Sequence, residues 1–330
     1  MVLVTGATGL VGSHLLLLLL ENGEEVRALY RNEKNIQQTK ALFEWKGRLD
    51  IFTKINWVQG CLTDIPSLEK AFENIDYVYH CAAFISFDPG DEEQMRKTNI
   101  EGTANIVNMC LSYNVKKLCH VSSIAALGDL QEHETIITEE TEWNPEISRS
   151  DYAISKFGAE MEVWRGQEEG LPVVIVNPGI ILGPGFWNSG SSEIFQRVKK
   201  GLKYYTEGAT GFVTVEDVTR SMYQLMKSNI QKERFILVTE SITYHRLADL
   251  IATSLGKPKP SVYLKPWVTG LAWRIDWLIS TFFFKKRQLS KATAASLHTQ
   301  SEFDNSKIKN ALNFEFEDIA DYISKVSATV

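Results

Sequence analysis

The sequence is poor in cysteine: four stand among its 330 residues, Cys61, Cys81, Cys110 and Cys119. None forms a C-x-x-C pair, and each lies in or beside an apolar segment, as reduced core thiols do. A disulfide framework is thereby excluded, no metal is expected, and a reducing cytoplasm fits best. Concentrated positive charge is also lacking. The 35 lysines and arginines are dispersed among 41 acids, for a net charge of −6, so there is no basic stripe for a phosphate backbone and nucleic acid is not an expected partner.

Long apolar runs are scarce as well. Leu15 to Leu20 is far too short to span a bilayer. Trp267 to Phe284 is long enough but carries Arg274 and Asp276. Its Leu271, Ile275, Leu278 and Phe282 recur at helical spacing, and Lys285, Lys286 and Arg287 follow directly. An interfacial helix is one reading of residues 267–284. A helix roofing an apolar pocket is preferred, since amphipathic helices are ordinary in globular proteins, so a membrane surface is not an expected partner. A signal peptide needs a charged start and an apolar stretch, yet Val2 to Val4 already reads as a strand; no leader is expected.

What is present is a rhythm. With 44% hydrophobic residues the chain is long enough to bury a full core. Up to residue 177 short β-branched runs alternate with helical patterns: VLVT, a helix to Asn22, EVRALY, INWVQG, DYVYHCAA, a helix through Asn99 to Tyr113, KLCHVSS, a helix through Tyr152 to Glu168, and PVVIVNP. That repetition predicts an α/β fold, a Rossmann-type doubly wound parallel sheet with helices on both faces. Beyond Pro178 the rhythm fails. Glycine- and serine-rich loops, isolated short strands (FVTV, RFILV) and scattered helices predict a smaller C-terminal α/β lobe for substrate. The expected division is 1–177 for dinucleotide and 178–330 mainly for substrate, with some segments returning to the first part.

The opening MVLVTGATGLVG carries the first chemistry. After a strand, Gly6 permits a tight turn, Gly9 lets backbone approach a pyrophosphate, and Gly12 lets the next helix pack closely, its amides aimed at the anion. The spacing is one residue wider at the start than the usual Rossmann pattern. Where dinucleotide enzymes place an acid to hold the ribose of NAD, after the second strand, this chain has Arg31, with Lys34 close by. A guanidinium suits a 2′-phosphate. NADP(H) is therefore the preferred cofactor and NAD(H) the alternative; a solvated surface arginine is the competing explanation.

A tyrosine four residues before a lysine puts both on one helix face, where the ammonium can depress the phenol's pKa. The pattern occurs four times, as Tyr30/Lys34, Tyr113/Lys117, Tyr152/Lys156 and Tyr223/Lys227. Only Tyr152/Lys156 follows a strand ending in paired hydroxyls, Ser122 and Ser123, and precedes a strand running into Pro178-Gly179. The other three read as surface or packing pairs.

In order and spacing, TGATGLVG, HCAA at His80 to Ala83, TNIEGT around Asn99, VSSIAALG, YAISK, NPGIILGPG, FVTVEDV and FDNSKIKNALNF resemble the extended short-chain dehydrogenase/reductase family, within the NAD(P)-dependent epimerase/dehydratase superfamily. The likeness covers nearly the whole chain. It implies that Ser123 holds a substrate carbonyl, with Ser122 as second choice, and that Tyr152 moves the proton. It further implies that Lys156 holds the nicotinamide ribose while lowering the tyrosine's pKa, and that Asn99 shapes the site. It implies a dinucleotide resting on Gly6, Thr8, Gly9, Leu10, Val11, Gly12, Arg31, Leu62, Ala82, Ala83, Ser122, Tyr152, Lys156, Pro178, Ile180 and Ile181.

Departures from that pattern narrow the reaction. Cys61 stands where the family usually has an aspartate, though Leu62 still offers backbone. Ser123 is followed by Ile124 and Ala125 rather than by the acids of sugar-nucleotide dehydratases. Asn177, Ile180, Thr210 and Gly211 stand where sugar-nucleotide epimerases carry arginine and its companions. A pyrophosphate normally demands such cations, so a weakly charged or apolar small molecule is the expected substrate. Thr214 replaces a histidine frequent in the family. The pattern is most similar to the dihydroflavonol-reductase and hydroxysteroid-dehydrogenase branch. Phe186, Trp187, Tyr204, Tyr205, Trp267, Trp273 and Trp277 would suit an apolar pocket, or equally core packing. The expected activity is NADP(H)-dependent reduction of a ketone or aldehyde, or its reverse. A nucleotide-sugar epimerase with internal redox and a non-catalytic dinucleotide-binding regulator are the alternatives. A homodimer through the helices near Glu92 to Tyr113 and Ser150 to Glu168 is open.

Overall fold

In the computed structural model residues 1–86, 88–131, 134–187, 190–283 and 290–330 are described. Seven strands form one parallel sheet: β1 (Val2–Thr5), β2 (Val26–Tyr30), β3 (Asn56–Gln59), β4 (Tyr77–His80), β5 (Lys117–Val121), β6 (Val173–Pro178) and β10 (Glu233–Leu237). Their order is β10-β6-β5-β4-β1-β2-β3, with Val4 opposite Ala28 on one side and Tyr79 on the other.

Period-two alternation explains why the sheet is covered twice. Val2, Val4, Ala28, Tyr79, Val121, Val174 and Phe235 point into one apolar cluster. Leu3, Leu29, Val78, Leu118, Val173 and Ile175 point into a second. The helix α1 (Leu10–Glu21) and the helix Val215–Lys227 contribute to the first, and the helices Ile65–Phe72, Gly102–Ser112 and Asp151–Glu168 to the second. Ser150 caps the 151–168 helix, accepting from the amide of Ala153 at 3.2 Å.

RFILV is not an isolated strand. It is β10, the sheet's seventh strand, beside β6, with Phe235 opposite Val176. Strand alternation stops at Pro178, so nothing local reveals that the chain returns to the sheet 55 residues later, from Pro178 to Glu233. The first three residues of FVTV fall in β9 (Ala209–Thr214), the middle of a three-stranded sheet with β7 (Ile180–Leu182) and β11 (Glu240–Thr243), and its last, Val215, opens a helix. β8 (Tyr204–Tyr205) and β12 (Val262–Tyr263) form a small pair. Leu182, Phe195, Phe212, Ile251, Ile319 and Ile323 make a separate core around that second sheet.

The strand order turns at β1: β2 lies on one side of it and β4 on the other. Crevices beyond the carboxyl ends at such a turning point are where open α/β sheets bind ligands. Among the described residues no helix is long and apolar enough to cross a membrane.

Candidate active site

The loop after β1 meets the loop after β4 at that crevice. Gly6 has φ +64°, and a Cβ there would stand 2.6 Å from the amide nitrogen of Ala82, which itself donates to Thr5 Oγ1 at 3.3 Å. Only a glycine fits both the torsion and the contact. A Cβ on Gly12 would stand 2.2 Å from the carbonyl oxygen of Gly6, whereas one on Gly9 would meet only that oxygen, at 3.4 Å. Gly9 is the N-cap of α1, no side chain caps that end, and its first turn holds no acid. This cradle of backbone amides and open space fits the pyrophosphate of a dinucleotide.

The far walls come from β4, β5 and β6. After β4, Ala82 and Ala83 run toward Phe84, which is latched by Asn99: Oδ1 accepts from the Phe84 amide at 2.7 Å and Nδ2 donates to its carbonyl at 2.9 Å. Nδ2 also donates to Ser155 Oγ at 3.0 Å. Asn99 lies in a π-helical turn, Lys97–Glu101, rather than in the regular helix the sequence predicts from Asn99 to Tyr113. Such turns recur at functional sites. Leu62 is buried against Gly102, and its carbonyl accepts from Asn105 Nδ2 at 2.9 Å.

Ser122 and Ser123 follow β5 directly and are held in different ways. Ser122 Oγ donates to Glu160 Oε2 at 2.6 Å, while Ser123 Oγ accepts from the Ala125 amide at 3.1 Å and is hydrogen-bonded to Tyr152. Lys156 is buried and donates to the carbonyl of Val121 at 2.8 Å. Burial pulls its pKa down to about 8, partly opposed by the Glu160 carboxylate one turn on. The expected depression of the Tyr152 phenol is not found. Burial pushes that pKa up, outweighing the Ser123 hydrogen bond.

Of the other tyrosine–lysine pairs, Tyr30 ends a strand, Tyr113 lies at the end of a helix, and Lys227 pairs with Glu24. Pro178, Ile180 and Ile181 line the exit of β6 into β7. Arg31 lies exposed just past β2, where Asn32 Oδ1 accepts from the Lys34 amide at 3.1 Å. A cleft of about 870 Å³ opens beside Tyr152, lined by Met95, Arg149, Trp273, Trp277 and Leu278 together with Asp88, Asp151, Arg274 and Lys291. Among the described residues no cluster suits a metal ion.

The match to known proteins follows the same segments. The model of the NAD dependent epimerase/dehydratase family covers residues 2–237, from β1 to the end of β10. The chain belongs to that family. It is 29% identical over 291 residues to sterol demethylase protein B of Methylococcus capsulatus, covering 85% of this chain and 83% of that one. It is 29% identical over 273 residues to anthocyanidin reductase of Arabidopsis thaliana, covering 75% and 78%. The crystal structure of gox2253 superposes with a TM-score of 0.81 at 27% identity, covering 99% and 97%. The chain is thus an NAD(P)-dependent oxidoreductase of the epimerase/dehydratase family.

Within this family member one residue, Glu160, escaped the sequence reading, and another, Thr214, was singled out there without a role. Glu160 is fully buried and gathers Ser122 Oγ, Asn177 Nδ2 at 2.9 Å and Arg234 at 3.1 Å. Asn177 Nδ2 also donates to the Ser123 carbonyl at 3.0 Å, so Glu160 braces both serines. Its signal was present: an acid one turn after Lys156 on the same face. Thr214, which replaces a histidine, is the N-cap of the 215–227 helix and accepts from the Asp217 amide at 3.0 Å. Threonine is a good cap, which accounts for the residue.

The seven aromatics divide. Trp273 and Trp277 line the cleft. Phe186 is buried, Trp187 packs on Phe195, and Tyr205 stacks on His245. Tyr204 and Trp267 are exposed, and so belong neither to pocket nor to core. The helix Pro266–Phe283 therefore roofs the cleft with one side only. The Phe282 side chain, residue 284 and Lys285, Lys286 and Arg287 lie outside the described residues.

Proposed function

We propose that this chain is an NADPH-dependent reductase of a ketone or aldehyde on an apolar or weakly charged small molecule. The observation that carries this reading is the Ser123–Tyr152 hydrogen bond beside a cleft, with Lys156 one turn along the same helix. The residues fit a dinucleotide: Gly6, Thr8, Gly9, Leu10, Val11 and Gly12 for the pyrophosphate, and Arg31 for a 2′-phosphate. Leu62, Ala82 and Ala83 serve the adenosine side and the inner wall; Ser122, Lys156, Pro178, Ile180 and Ile181 serve the nicotinamide side.

When bound, the reduced cofactor supplies a hydride to the carbonyl carbon. Ser123 Oγ donates to the carbonyl oxygen and polarises it. As the carbon–oxygen π pair moves onto oxygen, Tyr152 gives its phenolic proton to that oxygen. A phenol whose pKa burial has raised keeps its proton at neutral pH, which suits an acid. Lys156, held by the Val121 carbonyl, presents a cation that favours the phenolate left behind. Asn99 holds the Phe84 loop and so positions the site rather than reacting.

Two of the three cations lining the cleft are already engaged: Arg149 pairs with Asp129 and lies over Trp143, and Arg274 donates to the Gly270 carbonyl at 2.7 Å. That arrangement supports a substrate without a pyrophosphate. The test is NADPH oxidation by the purified protein against pooled ketones and aldehydes, with NADH in parallel and Tyr152→Phe as control. Tyrosine-dependent NADPH consumption is the expected result. Cofactor that stays bound without net oxidation, with a nucleotide sugar converted, would overturn the reading.

A further inference from the structure

The helix Pro266–Phe283 has a second apolar side that the cleft does not use. Trp267, Leu271, Ile275 and Ile279 are 69%, 50%, 46% and 44% exposed and follow one another at four-residue spacing. They form one stripe along the helix. On the inner side, Thr269 Oγ1 and His298 Nε2 lie 2.8 Å apart and pin the helix to the segment beyond it. Exposed apolar side chains in such a run mark a contact surface.

Charge selects the partner. Between residues 257 and 291 the sequence has eight lysines and arginines against one acid, Asp276, in a chain of net charge −6. Exposed Lys257 and Lys265 lead into the helix, Lys259 between them lies 3.8 Å from Asp249, and Arg274 and Lys291 are on the cleft side. Lys285, Lys286 and Arg287 belong to this count by sequence alone. A second copy docked about a two-fold axis would set this basic segment against itself. An anionic bilayer meets it with opposite charge and takes up the stripe. The helix is not apolar enough to cross that bilayer.

We propose that the helix Pro266–Phe283 docks in the headgroup plane of a membrane rich in anionic lipid. Its other side lines the cleft beside Tyr152, so an apolar substrate enters the site from the bilayer; this clause alone rests on the reductase reading. Docking itself does not.

The test is sedimentation of the full chain with vesicles of phosphatidylglycerol and phosphatidylcholine in equal parts, and with phosphatidylcholine alone. No cofactor or substrate is added, so failure of the reductase assay leaves this result untouched. The wild type is expected on the mixed vesicles. Binding should fall at least ~10-fold on neutral vesicles, in Leu271→Glu/Ile275→Glu and in Lys257→Glu/Lys265→Glu. These positions are exposed and lie outside the cleft, and an unchanged thermal midpoint checks folding. Absence from both vesicles, or equal binding by wild type and both variants, overturns the proposal. So does a dimer in sedimentation velocity that Leu271→Glu/Ile275→Glu dissolves, which would give the face to a second copy.

Discussion

Ser122 and Glu160 share a buried hydrogen bond of 2.6 Å, while the next residue, Ser123, keeps its hydroxyl beside Tyr152. Both stand just past the end of β5, and Ser123, in extended backbone, also caps the turn that follows, so two serines that read alike in sequence hold different partners. The consequence is a separation of effects. Ser123→Ala is expected to lower kcat/KM by about 10²–10³, the scale for losing one donor to a developing oxyanion. Ser122→Ala is expected to keep activity within about tenfold but to cost about 1–3 kcal/mol of stability, since Glu160 loses a buried donor. Steady-state NADPH oxidation and chemical denaturation of both variants measure the two effects.

Lys156 gives a pH dependence with a defined sign. Its folded pKa, about 8, is below the ordinary lysine value of 10.5. The charged form, which the proposed mechanism sets beside the phenolate and the ribose, is present below about 8 and lost as pH rises through that value. Reductase activity should therefore decline above about pH 8. Over the window from about 8 to the ordinary lysine value the unfolded chain binds more protons, so this group makes folding stability rise with pH. Glu160→Gln removes the charge that holds the Lys156 pKa up and should move the alkaline limb of the kcat/KM profile to lower pH. A merely structural role for Glu160 would lower the amplitude and leave the limb in place.

The parallel sheet was legible because its signal is local: alternating β-branched runs, each followed by a helical pattern, repeated up to residue 177. The glycines and the Tyr152/Lys156 pair were legible because their spacing is tied to one turn or one helix. What stayed hidden depends on the three-dimensional arrangement. β10 joins β6 across a long excursion, and Glu160 collects partners from β6, β10 and the residue just past β5. The sign of the Tyr152 shift follows from burial, which no spacing reveals. The two-sided character of the 266–283 helix depends on which neighbours cover it, and its sequence pattern alone allowed both a roof and an interfacial helix.

Cofactor choice should turn on Arg31. It stands exposed beyond β2, and the proposed reading gives it the 2′-phosphate. Arg31→Ala is expected to raise Kd for NADPH about tenfold or more, the worth of one charge-assisted contact to phosphate, and to leave Kd for NADH nearly unchanged. Fluorescence titration of both cofactors reads this directly. Equal losses for the two would assign Arg31 to a general electrostatic effect, and no loss would return it to the solvated surface.

Gly9 and Gly12 separate binding from folding within one loop. A Cβ at position 12 would collide with the Gly6 carbonyl at 2.2 Å, a backbone atom that cannot move without disturbing the turn at Gly6 and its contact with Ala82. Gly12→Ala should therefore destabilise the fold, by about 1–3 kcal/mol or more as overpacking does. At Gly9 the added Cβ meets only the Gly6 carbonyl, at 3.4 Å, and the backbone there is extended. The fold should tolerate Gly9→Ala within about 1 kcal/mol, because an ordinary contact replaces open space. If the pyrophosphate rests on Gly9, that same methyl occupies its approach, and NADPH affinity should fall by at least ~10-fold while the denaturation midpoint stays close to wild type. Loss of affinity without loss of stability at Gly9, set against loss of stability at Gly12, would place the dinucleotide over the first turn of α1. Unchanged affinity in Gly9→Ala would move it off that turn.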